Sequence, residues 1–199
     1  MTIRNQADIL IRKIQPHEST LYRSIRLACL KNAPDNFGST YEEEANNPKL
    51  EFETFIEKDE SEQFMFGAFD KGTLIGIVGF ARMKRQKARH RGEIVQMYVD
   101  AKYRGQNIGD KLLRGLAEQA FLLEGIEQLQ LSVIAGNHAA IKLYEKVGFK
   151  AFGLHPQYFK IRDRYTDQQF MRLFKSEYFG LSRFVLPHID KENSYDVSK

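Results

Sequence analysis

The sequence predicts a mixed α/β domain, and three observations carry that reading. Apolar and polar residues alternate in short runs, as at Leu129, Leu131 and Val133, where a strand's two faces would lie. Between such runs apolar residues recur at helical spacing, as at Ile141, Tyr144 and Val147. At residues 97–109 (Met-Tyr-Val-Asp-Ala-Lys-Tyr-Arg-Gly-Gln-Asn-Ile-Gly) an apolar strand gives way to a loop bearing Gly105 and Gly109, which opens into a helical run over 110–124.

In chain order, a strand is expected near 9–14, then a helix near 18–32 with Leu21, Ile25 and Ala28 on one face. Pro34, Asn36 and Gly38 break the chain. A second helix is predicted to begin at Pro48, with Asn47 as its cap and Phe52, Phe55 and Ile56 toward the core. Residues 64–69 and 74–83 read as strands around an Asp70-Lys71-Gly72 turn, a hairpin signal. A strand over 92–99 leads into the glycine loop and its helix, and a further strand follows over 128–135. Asn137 then caps a short helix, which Gly148 ends in a left-handed cap. Strands near 149–154 and 168–174 close a domain spanning 1–175. Residues 176–199 mix Phe179, Leu181, Phe184, Val185 and Leu186 with polar residues. They read either as a frayed tail or as an arm that packs on a second copy in a homodimer, and both readings stay open.

At 199 residues the chain is long enough to bury one well-filled core. Its formal charge of +4 is unevenly placed: Lys84, Arg85, Lys87, Arg89 and Arg91 supply +5 over 84–91, leaving 4 − 5 = −1 for the remainder. That run is read as a solvated hairpin loop rather than a nucleic-acid site. It precedes the strand 92–99 whereas the glycine loop follows it, so the two are expected at opposite ends. No apolar run approaches the roughly 20 residues that span a bilayer, and no secretory leader is expected. Cys29 is the only cysteine, so neither a disulfide framework nor a cysteine-rich zinc site is expected. The expectation is a reduced, cytoplasmic setting with no membrane partner, no nucleic-acid partner and no metal.

A strand, a glycine-bearing loop and a helix N-terminus form an anion site. The first helical N–H groups lack partners and lie along a dipole that favours negative charge. Glycine admits a phosphate close to the backbone. Two phosphate loops fail the test. A P-loop needs Gly-Lys followed by Ser or Thr, whereas Gly109 is followed by Asp110, Lys111 and Leu112. The dinucleotide fingerprint needs Gly-x-Gly-x-x-Gly after a first strand, and this loop offers only Gly-x-x-x-Gly deep in the chain. Arg-x-x-Gly-x-Gly is the pyrophosphate loop of the GNAT-type N-acetyltransferases, and residues 104–109 resemble it, with Asn107 at the family's middle glycine. Asparagine is the residue besides glycine that best tolerates positive φ. A second segment is similar to the family's Asn-x-x-Ala-x-x-Leu-Tyr-x-x-x-Gly-Phe signature, matching at Asn137, Ala140, Leu143, Tyr144, Gly148 and Phe149. The resemblance covers about residues 9–174.

The resemblance implies a mixed, mostly antiparallel sheet with helices on both faces, and acetyl-CoA as cosubstrate. It implies that pantetheine lies between the strands over 92–99 and 128–135, with Met97 and Val99, flanking Tyr98, as backbone partners and an amide there as oxyanion donor. Residues 104–109, that is Arg104, Gly105, Gln106, Asn107, Ile108 and Gly109, would hold the pyrophosphate. Tyr144 matches the family's general acid to the leaving thiolate. A phenol suits that task because it stays protonated at neutral pH. Asn137 is assigned to pantetheine as well as to its cap, and Lys142 or Arg104 to the ribose 3′-phosphate. Glu93 is the candidate base, since some relatives draw the amine's proton to a glutamate on this strand through water. A plain solvent-facing Glu93, and a water chain with no dedicated base, are the alternatives.

The acceptor is expected to be a small-molecule or peptide amine, met by the segments 32–44, 84–91 and 153–167. The last holds Tyr158, Phe159, Arg162, Arg164 and Tyr165, which would suit an acceptor with a carboxylate or an aromatic part. Two other readings of the same fold stand beside this one. One is a non-catalytic acyl-CoA or RNA-binding module. The other is an acyltransferase that uses a longer donor such as succinyl-CoA.

Overall fold

The structure, a computed structural model, describes residues 9–161 and 163–182. Its strands are β1 (Leu10–Lys13), β2 (Gln63–Asp70), β3 (Thr73–Arg82), β4 (Arg91–Val99), β5 (Gln128–Ile134), β6 (Lys150–Ile161) and β7 (Arg164–Phe174). Its helices are α1 (Ser19–Asn32), α2 (Tyr41–Ala45), α3 (Glu51–Glu57), α4 (Ile108–Leu122), α5 (His138–Val147) and α6 (Lys175–Ser182). The strands form one sheet in the order β1-β2-β3-β4-β5-β7-β6, antiparallel throughout except for β4 beside β5. A parallel neighbour needs a long crossover, and α4 supplies it.

Each face of the sheet carries its own core. On one, Leu112, Leu113 and Phe121 of α4 and Val147 of α5 pack on Ile94, Leu129, Leu131 and Met171. On the other, Tyr22, Cys29 and Leu30 of α1 and Phe52 and Ile56 of α3 pack on Met65, Ile77 and Tyr98. Full burial of each such side chain is worth about 1.5–3 kcal/mol, which fixes both helical layers against the strands. The hairpin joining β2 to β3 turns at Lys71 and Gly72, both at positive φ (48° and 85°), as a two-residue turn of this hand requires.

Four expectations need correction. α1 buries Tyr22, Ile25, Arg26, Cys29 and Leu30, whereas Leu21 and Ala28 are exposed. Both sets obey helical spacing, and Tyr22 wins because it can bury its ring and still bond its hydroxyl. α3 starts at Glu51, not Pro48, with Leu50 as cap; Asn47 instead accepts from the Lys49 N–H in a local turn (3.2 Å). α2 had no counterpart, although its Thr40-x-x-Glu43 capping box was legible: the Thr40 side chain accepts from the Glu43 N–H, and Glu43 from the Thr40 N–H. Residues 153–167 are not a loop: β6 and β7 continue as a long hairpin, with register shifts near 151–153 and 155–159 and Gln157 at φ 52°. Those slips break the simple alternation by which strands are recognised.

The basic run forms the turn between β3 and β4 with a short 3-10 stretch (Gln86–Ala88). Arg82 (2.9 Å) and Arg89 both donate to Glu62, and Lys84 stands 4.0 Å from Glu51 at the surface. Of residues 176–199, those through Ser182 belong to α6, whose Tyr178 packs against Phe121 of α4 (ring centroids 5.6 Å). Phe184, Val185 and Leu186 lie outside the described residues.

Candidate active site

β4 and β5 part company early. They pair only where residues 91–93 face 128–130. Beyond that point Gln96 takes φ 55°, and the register with β3 slips by one residue: Gly79 faces Val95, yet Ile77 faces Tyr98. Such a bulge bends a strand and re-aims every side chain after it. Val95 therefore packs with the α1 core, while Met97 and Val99 pack with the α4 core. By alternation Glu93 shares the α1 face with Val95. Gln96 is tied to α1, its side-chain oxygen accepting from the Tyr22 hydroxyl at 2.9 Å. A cavity of about 830 Å3 fills the gap between the strands and is lined from both faces of the sheet.

At the α4 end, Arg104, Gly105, Asn107, Ile108 and Gly109 line this cavity; Gln106, assigned to the same loop, does not. Gly105 sits at φ 79° and Asn107 at φ 57°, ψ 18°. The asparagine thus holds the left-handed conformation that a glycine would take there. Gly109 serves packing: a Cβ on it would lie 3.1 Å from Leu143 Cδ2 and 3.2 Å from Met97 Cε. Asp110 in the first turn would repel an anion, but Arg114 donates to it at 3.1 Å and Lys146 stands 3.3 Å away. That pairing keeps the helix N-terminus electropositive. Arg114 lies four residues on, so the pair was legible in the sequence.

α5 closes the same side. Asn137 caps it, its Oδ1 accepting from the Ala140 N–H at 3.2 Å, while its amide donates to Asn36 Oδ1 at 3.1 Å. One of the two N–H donors of the amide assigned to pantetheine is thus bonded to the α1–α2 loop. Gly148 ends the helix at φ 113° and donates its N–H to the Tyr144 and Glu145 carbonyls. Tyr144 is 7% exposed, its ring edge against Phe149 at 6.1 Å, and burial pushes its phenol up to about 12. Lys142 and Tyr144 both line the cavity, as do Met97, Tyr98 and Val99 from β4. Glu93 lines it too, half-buried, and burial raises its carboxyl above the usual carboxylate value.

The α1 face brings in parts of two segments assigned to the acceptor, 32–44 and 153–167, together with Arg26 and Gln168, which the sequence had not singled out. Phe37, Gly38 and Ser39 line the cavity from the α1–α2 loop, as do Tyr158 and Phe159 from β6. The Phe159 ring approaches Gly38 so closely that a Cβ there would lie 2.8 Å from it. Arg26, 3% exposed, donates through Nε to Glu44 at 2.8 Å and through Nη2 to the same carboxylate. Gln168 of β7, 6% exposed, also lines the cavity, and its Oε1 has no hydrogen-bond partner among the described residues. No local signal marks Gln168; only its pairing opposite Ile134 brings it to the gap. Arg164 and Tyr165, expected at the acceptor, are not among the cavity's lining residues, and Arg162 lies outside the described ones.

A bulged strand parting from its parallel neighbour over an electropositive helix N-terminus leaves between β4 and β5 the cleft that the resemblance to the acetyltransferases implied. Residues 28–149 match the model of the acetyltransferase (GNAT) family, and the chain belongs to that family. It is 37% identical over 102 residues, half of its length, to the N-alpha-acetyltransferase RimI of Mycobacterium tuberculosis, and spans 61% of that protein. The crystal structure of a GNAT acetyltransferase from Streptococcus pneumoniae superposes with a TM-score of 0.70 at 25% identity, covering 84% of this chain and 99% of that one. A phosphinothricin acetyltransferase from Sinorhizobium meliloti, solved in complex with acetyl-CoA, shares the fold at a TM-score of 0.67 and 20% identity over 83% of this chain and 88% of its own.

Proposed function

We propose that this chain transfers the acetyl group of acetyl-CoA to a primary amine by direct attack. The observation that carries this reading is the continuity of one cavity from the left-handed loop at the α4 N-terminus to the buried Tyr144 and on to Glu93. Family membership and a fold neighbour holding acetyl-CoA agree with it. The residues present fit that cosubstrate. The α4 N-terminus with Arg104 and Lys142 would take its phosphates, and the edge of β4 over 97–99 its pantetheine. Bound there, it supplies an activated thioester carbonyl.

A lysine-like amine has a pKa of about 10 and arrives protonated. Glu93 accepts its proton through water, a carboxylate of raised pKa being suited to that exchange. The freed lone pair forms the C–N bond at the thioester carbonyl, whose oxygen takes up charge near a β4 amide. As the C–S bond breaks and the carbonyl re-forms, Tyr144 gives its proton to the leaving thiolate, and the second proton of the attacking nitrogen passes through water to restore the phenol.

Calorimetric titration with acetyl-CoA tests the binding half. The wild-type protein and Asn107→Gly are expected to bind alike, because glycine adopts φ 57° freely. Asn107→Val should bind about tenfold more weakly, since a left-handed β-branched residue costs about 1–2 kcal/mol. Equal affinity for the valine variant would place the phosphates elsewhere, and no binding by the wild type would end the acetyl-CoA reading.

A pH profile tests Glu93. Only its ionised form accepts a proton, so kcat/KM should rise with pH through an ionisation above the usual 4.5. Glu93→Gln should lose that limb while keeping the later rise from the amine itself. A profile identical in the variant would assign the proton to water alone.

A further inference from the structure

The charge on the cavity wall is divided between the two faces of the sheet. Arg104, Lys142 and Lys146 line it from the α4 and α5 side. On the α1 side the one cation among the described lining residues is Arg26, and Glu44 holds it with two hydrogen bonds. That side offers instead the Glu93 carboxylate, the Gln168 side chain, whose buried Oε1 has no partner among the described residues, and the rings of Phe37, Tyr158 and Phe159.

We infer that the acceptor is a primary amine with no carboxylate beside it, and that Gln168 accepts a hydrogen bond from its nitrogen. The inference rests on the acetyl-transfer reading for the fate of the amine, and on the cavity wall for the preference. Register places Gln168 and Glu93 on the same face: Gln168 pairs with Ile134, and Glu93 with Gln130, two positions an even number of residues apart on β5. An amine cation entering between them meets a carboxylate, an amide oxygen and aromatic rings, each of which attracts it. An amino acid's α-carboxylate would face the same acceptors, with no unspent guanidinium among the described lining residues of this side to receive it, and would lose its water for nothing. Gln168 explains itself under this reading. A buried amide oxygen left unbonded costs stability, and a substrate N–H removes that cost only when bound.

The experiment titrates the protein, alone and with desulfo-CoA, with pairs that differ by a carboxylate: tyramine and tyrosine, cadaverine and lysine, an alanyl peptide amide and free alanine. The amine of each pair is expected to bind at least tenfold more tightly, and the peptide arm separates chain N-termini from small amines as the source. Gln168→Leu should weaken amine binding about tenfold while leaving acetyl-CoA affinity unchanged and the unfolding midpoint no lower, since it removes an unbonded buried oxygen. Gln168→Glu, which keeps an acceptor oxygen, should restore binding. Equal affinities within pairs, tighter binding of the amino acids, or no binding by either member overturns the inference. A protein that binds the amines and acetyl-CoA but releases no thiol upholds the preference and ends the acetyl-transfer reading instead.

Discussion

Tyr144→Phe is expected to lower kcat by a hundredfold or more while leaving acetyl-CoA affinity within about twofold, since a positioned general acid contributes 10²–10⁴. The ring is 7% exposed and packs edge-on against Phe149, so phenylalanine fills the same space and only the hydroxyl is lost. Because burial holds the phenol near 12, it stays protonated and able to donate over the whole neutral range. The wild-type rate should therefore show no fall from Tyr144 ionisation below about pH 11. Single-turnover thiol release measures the effect, and an unchanged rate would reassign the proton to water. Gly109→Trp, the obvious way to block the loop proposed to hold the phosphates, is a poorer probe. Its side chain would start 3.1–3.2 Å from Leu143 and Met97, so it would disturb packing as well as binding.

Gly92→Val should cost about 3 kcal/mol of stability, the upper part of the range for overpacking a filled core. A Cβ there would lie 2.0 Å from Phe80 Cε2 and 2.7 Å from Cζ. The Phe80 ring is fully buried and stacked on Phe64, centroids 5.0 Å apart, so it has nowhere to go. The consequence reaches the site, because Gly92 is the middle of the three residues joining β4 to β5. Opening that junction moves Glu93 and widens the gap, so acetyl-CoA affinity should fall with stability. Urea unfolding measures the first effect and calorimetry the second. Adding Phe80→Leu should return part of both, and an unchanged urea midpoint in the single variant would show that β4 shifts away freely.

What the chain spells out locally, the sequence made readable. Asn107 and Gly148 mark left-handed positions, Asn137 marks a helix start, and Asp70-Lys71-Gly72 marks a hairpin, because each depends on φ, ψ and hydrogen bonds within a few residues. The two signatures built on them led to the family before any fold was known. The β6–β7 hairpin was missed beyond Leu154 and before Gln168 because its bulges interrupt alternation. The α1 face was misjudged because periodicity offers neighbouring stripes and tertiary contacts choose between them.

The part of the cavity wall formed by Tyr144, Glu93 and the 104–109 loop was therefore legible, whereas elsewhere on the wall the sequence pointed to the segment 32–44, Tyr158 and Phe159 but not to Gln168 or to the pairing of Arg26. Tyr144, Glu93 and the 104–109 loop sit on contiguous elements with their own patterns. Gln168, Phe37 and Phe159 come to the cavity from three separate segments, and Arg26 is neutralised by Glu44, eighteen residues away. The bulge at Gln96 decides which β4 side chains face which layer, and it arises from pairing with β3. Sequence alone determined the backbone conformations that build the 104–109 loop and cap the helices, since those are local energies. Tertiary structure alone decided where charge survives on the cavity wall, since that depends on which distant groups meet and cancel.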